Sequence, residues 1–80
     1  MNGLAAAIRE VYAQVGAPDW AAINLDALVD VLRDLSWLPE GTVPIRVPDV
    51  GAADFSRLFE ALLQVVDETA DGPRPVVLVS

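Results

Sequence analysis

The sequence predicts an α/β domain, and three features carry that prediction. Helical amphipathic periods cover residues 4–15, 24–35 and 54–69, apolar runs rich in β-branched residues cover 42–47 and 75–79, and the last helix lies between the two runs. Two strands joined through such a crossover helix are expected to be parallel and right-handed. Eighty residues, 54% of them hydrophobic and 21% charged, make a single domain, 1–80, that must use nearly every apolar stripe it has to build a core. The expected state of the free chain is a monomer.

In the first helix Leu4, Ile8, Val11, Tyr12 and Val15 recur on one side, with Arg9, Glu10 and Gln14 turned away. Asn2 suits its N-cap, and Gly16, ahead of Pro18, its end. Ala17-Pro18-Asp19 reads as a loop and Trp20-Ala21-Ala22-Ile23 as a turn or one helical turn. Trp20 has two readings: a cover over the core beside Ile23, or an exposed aromatic anchor of the kind enriched at interface hot spots.

The second helix is the most informative stretch. Leu25, Leu28, Val29, Val31, Leu32 and Leu35 share one arc, while Asp26, Asp30, Arg33 and Asp34 fill the opposite one. Asn24 suits the N-cap, because its side-chain oxygen can accept from a free N–H of the first turn. Asp26 and Asp30 then project side by side, one turn apart. Pro39 prevents continuation. In the strand over 42–47, Pro44 lacks an N–H and so requires an edge or a position not used in pairing. Trp37 and Val43 are assigned to the core. The third helix should begin near Ala53 with Asp54 a candidate cap, carry Phe55, Leu58, Phe59, Leu62, Val65 and Val66 on its apolar arc, and stop at Asp71-Gly72-Pro73. Val76-Val77-Leu78-Val79 is apolar throughout, which suits a strand covered on both faces or nearly so.

Charge narrows the functional classes. Twelve acids oppose five bases, all arginine, for a net charge of −7. Such a chain repels phosphate backbones, which disfavours nucleic acid, and is drawn to cationic proteins. Absence of cysteine excludes disulfides, thiolate chemistry and zinc–sulfur sites, and fits a reducing cytoplasm. With no histidine and no lysine either, the usual general base, metal ligand and Schiff-base amine are missing. Asp26 and Asp30 alone make a poor Mg²⁺ or Ca²⁺ site, having no third carboxylate that obviously converges on them. The expectation is a protein with no enzymatic activity, catalytic residue, metal or cofactor, and no membrane-spanning segment.

Asn24-Leu25-Asp26-Ala27-Leu28, followed by Asp30 and Leu32 and closed by Pro39, resembles the signature helix of the barstar family of intracellular ribonuclease inhibitors. The likeness extends to Trp20 before that helix, Asp67 near the end of the third, and a last strand closing on Leu78-Val79-Ser80. It implies a small barstar-like domain whose parallel sheet is packed with three or four helices. The family's sheet has three strands, the first ahead of the first helix. Only Met1-Asn2-Gly3 precedes Leu4, so the expectation is two strands, the family's first missing, with one strand edge unpaired or loosely covered.

The resemblance also implies a mechanism. In such inhibitors the acid matching Asp30 takes the place of a substrate phosphate and meets the enzyme's arginines and catalytic histidine. Asp26 matches a second interface acid, Trp20 a tyrosine that packs on that histidine, and Asp67 a peripheral glutamate. Val29 stands where the best-known member has a tryptophan, and Arg33 adds a positive charge to the face. The partner-binding set is therefore Trp20, Asn24, Asp26, Val29, Asp30, Arg33 and Asp67. The partner expected is a basic ribonuclease of the extracellular type. The alternative is a module of the same fold that gives immunity to a different basic toxin, without inhibiting a ribonuclease.

Overall fold

A computed structural model describes residues 3–79. Its elements are α1 (Leu4–Val15), α2 (Leu25–Asp34), β1 (Val43–Arg46), α3 (Ala52–Thr69) and β2 (Val76–Val79). The two strands pair in parallel from Val43 opposite Val76 to Arg46 opposite Val79, so the architecture is α/β, with three helices and a two-stranded sheet. Ile8, Val11, Leu28, Leu32, Leu35, Ile45, Leu58, Leu62, Val65 and Val76 form the fully buried centre, contributed by all five elements and the residue that ends α2. At about 25 cal/mol per Å² of apolar area withdrawn from water, this joint burial is the main force that holds the small domain together.

Helix ends follow local chemistry. Gly16 closes α1 in the left-handed region at φ 65°, where a side chain would be strained, and its N–H reaches the Tyr12 carbonyl. Asn2, expected as the cap of α1, lies outside the described residues, as does Ser80; the N-cap position itself is Gly3. α2 ends in the same left-handed geometry at Leu35, φ 43°, a residue for which it is costly. Leu35 is completely buried, which offsets that cost. α3 starts earlier than the sequence suggests. Gly51 takes the N-cap, and Asp54 is not the cap but a first-turn acid, favourable at the positive end of the helix dipole.

The strands correct two readings. β2 is covered on one face only: Val76 is buried, whereas Val77 and Val79, on the other face, remain 37% and 43% exposed, with no helix over them among the described residues. An uninterrupted apolar run therefore did not mean burial on both faces. Trp37 likewise is not a core residue. It is 38% exposed, with its indole N–H donating to the carbonyl of Val15, one of the unpaired carbonyls at the end of α1 (2.9 Å).

β1's outer edge is closed by a side chain. The Val43 N–H is turned toward β2's side, donating to Pro75 O, so the alternation of the strand turns Pro44 and Arg46 outward. Pro44 has no N–H to leave unpaired there, as expected of an edge position. Arg46 donates its N–H to Gln14 Oε1 (2.7 Å), and its carbonyl accepts from Gln14 Nε2 (2.8 Å). One amide from α1 thus makes both hydrogen bonds that a neighbouring strand would make. At the other end of the sheet, Thr69 Oγ1 donates to Val65 O (2.8 Å) and accepts from Val76 N (2.9 Å), tying α3 to β2.

Candidate functional site

α2 places the charged residues. Asn24 Oδ1 accepts from the Ala27 N–H (2.8 Å), which fixes the start of the helix. With Leu28, Val31 and Leu32 buried beneath, the helical period turns Asp26, Asp30, Arg33 and Asp34 outward. Val29 is partly buried against the core, on the flank that it shares with Arg33 one turn on.

On one side of this face stands Trp20. Pro18 to Ala21 form a turn closed by the Ala21 N–H on Pro18 O (3.1 Å), and Trp20 projects from it 81% exposed. The reading in which Trp20 covers the core is thereby excluded. The Tyr12 hydroxyl donates to Ala22 O (2.7 Å) and anchors the loop to α1. Burial pushes the Tyr12 phenol above its ordinary range. Trp20, Trp37, Ala21, Ala27, Val31, Asp30 and Asp34 line a cavity of about 280 Å³. A lining that combines two tryptophans with two aspartates suits a flat cationic group.

On the other side α3 closes the face. Arg33 Nη2 bonds Asp30 Oδ1 and Nη1 bonds Glu68 Oε1, both at 2.8 Å, so one guanidinium bridges two helices. Glu68 and then Asp30 raise the Arg33 guanidinium above its already high range, while Arg33 first and Gln64 second hold the Glu68 carboxyl below the usual carboxylate range. Sequence reasoning passed over Glu68. Asp67, one step around α3, is exposed, and its carboxylate has no hydrogen bond among the described residues. Asp26 lies apart from the tryptophan cavity, beside Asn24 and Arg57 in a separate groove of about 490 Å³.

The structure therefore brings Trp20, Asp30 and Arg33 together around the middle of α2, sets Asn24 and Asp26 at its beginning, and leaves Val29 and Asp67 toward the α3 side. Among the described residues, no group of three acids or histidines could hold a metal ion, and no helix is long and apolar enough to cross a membrane. A family model described as Barstar (barnase inhibitor) matches residues 1–79. No curated protein and no solved structure matches the chain.

Proposed function

The chain belongs to the barstar family, and from that membership we propose that it inhibits a basic ribonuclease by laying α2 and the Pro18–Ala21 turn over the enzyme's active site. Asp30 stands in for a substrate phosphate and meets the enzyme's cations. The observation that carries the reading is the position of Asp30, whose side chain is 71% exposed at the centre of the face, between the tryptophan cavity and the Arg33–Glu68 bridge. A net charge of −7 accelerates encounter with a basic enzyme. Bonds from Asn24, Tyr12 and Trp37 hold α2 and its neighbouring loops before the partner arrives, which lowers the ordering cost of binding. Trp20 packs on the enzyme's catalytic ring, Asp26 adds a second charge, and Val29 and Asp67 lie toward the periphery.

Purified protein titrated against barnase, and against any basic ribonuclease encoded beside it, tests this directly. Stoichiometric inhibition that is lost on Asp30→Ala and largely kept on Asp34→Ala supports phosphate mimicry. Equal, small losses for the two substitutions leave only a general acidic face. Val29 in the tryptophan position and Arg33 on Asp30 favour a second reading, in which the same face blocks a different basic toxin. Capture of a basic partner without ribonuclease activity selects that reading.

A further inference from the structure

We infer that Arg33 sets the specificity of this face: in the free protein its guanidinium occupies, on Asp30, the place that a partner's cation takes, so that binding exchanges one cation for another. The inference rests on the proposed function, because it concerns what meets Asp30. Three features of the geometry carry it. Arg33 holds Asp30 through one terminal nitrogen and Glu68 through the other, each at 2.8 Å. The pair is open to water, with side-chain exposures of 45% for Arg33 and 71% for Asp30, and solvated pairs of this kind are weak and readily replaced. Glu68, at 33%, is the more sheltered acid, so a displaced Arg33 keeps a counter-ion and no charge is stranded.

A purely structural clamp between α2 and α3 would need only the Arg33–Glu68 bond. The additional bond to Asp30 lies within a single helix turn and joins no second element. Its effect is on the availability of Asp30. A partner must supply a cation that outcompetes a guanidinium already in place. A lysine ammonium is a strongly hydrated point charge, whereas an arginine fork can engage both carboxylate oxygens. The face is thereby selective for partners that present clustered arginines, and it rejects proteins that are merely basic.

The test titrates isotope-labelled protein with an arginine hexapeptide and a lysine hexapeptide at low salt, following the Asp30 carboxyl carbon and the Arg33 guanidinium nitrogens by NMR. The arginine peptide should shift both sets of signals, the lysine peptide much less. Arg33→Gln should bind the arginine peptide about two- to five-fold more tightly, the strength of one exposed ion pair, and should narrow the preference over lysine. Arg9→Gln makes the same charge change on the exposed side of α1 and should gain less. Arg33→Lys should fall between wild type and Arg33→Gln. Glu68→Gln leaves Arg33 to Asp30 alone and should weaken binding more than Glu60→Gln does. Equal gains for Arg33→Gln and Arg9→Gln, or Arg33 signals that stay fixed while Asp30 shifts, would overturn the inference. The ribonuclease assay is decided separately: wild type that fails to inhibit sinks the proposed function whatever the peptides do.

Discussion

At the sheet, Thr69 answers both the Val65 carbonyl and the Val76 N–H, and Gln14 answers both backbone groups of Arg46. On the outer face of α2, by contrast, Asp30 and Glu68 share a single arginine, and the Asp26 carboxylate has no hydrogen bond among the described residues. The difference follows from cost. Thr69 and the Val76 N–H that it accepts from are buried, where an unpaired polar group costs on the order of 1–3 kcal/mol, a large fraction of what so small a domain has; the Gln14 bonds are exposed and close a strand edge instead. A carboxylate in water costs almost nothing and remains available. Consistent with this, no buried side-chain polar atom lacks a partner among the described residues. Folding and binding are thus assigned to different parts of the chain, and substitutions can separate them.

The largest expected effect is on the open face. Asp30→Ala should weaken binding to a confirmed ribonuclease partner by about 2–5 kcal/mol, a range that reflects barnase–barstar measurements themselves and is not obtained from this geometry. Its denaturation midpoint should stay where it is. A midpoint that falls with affinity would merge the two regions. Thr69→Val works in the opposite sense: the Val76 N–H loses its acceptor, and stability should drop by about 1–3 kcal/mol in urea titrations, while the folded fraction inhibits with unchanged affinity. Asn24→Ala lies on the boundary. Loss of the cap on α2 should cost about 1 kcal/mol of stability and should slow association, because the start of the binding helix is then less ordered.

The smallest expected effect is on pH dependence, where one group on each side responds with opposite sign. The Tyr12 phenol is raised above its ordinary 10.0, so its contribution is fully present below 10.0 and is lost as pH rises through the folded-state value. Thermal scans in mildly and strongly alkaline buffer should show a larger drop for wild type than for Tyr12→Phe. Glu68 has the reverse sign. Its lowered carboxyl favours the folded state above its ordinary 4.5, and this is lost as pH falls below that value.

Legibility in the sequence tracked the range of the physics. Leu4–Val15 and the end of the third helix at Thr69 could be read because period, Gly16 and Asp71-Gly72-Pro73 are local signals. Asn24 as cap was local too. Covering depends on distant neighbours, which is why the apolar run of β2 suggests two covered faces, why Trp37 reads as core, and why Trp20 has two readings. The Asp54 cap failed for a subtler reason: Gly51 has no side chain with which to announce itself. Arg33 could be placed on the outer face of its helix, but its partner Glu68 lies on another helix, 35 positions away. The Gln14 bridge, 32 positions from Arg46, gave no signal at all.

That bridge bears on how the protein behaves when crowded. A bare strand edge is a template on which other chains polymerise, and small sheets are prone to it because they have few strands to hide. Gln14 occupies the donor and acceptor of Arg46, and Pro44 supplies no donor beside it, so an arriving strand finds no free N–H at these outward positions. Protection by one side chain is also cheap to lose. Replacement of Gln14 by a residue without an amide would leave the fold standing and make the protein self-associate as its concentration rises.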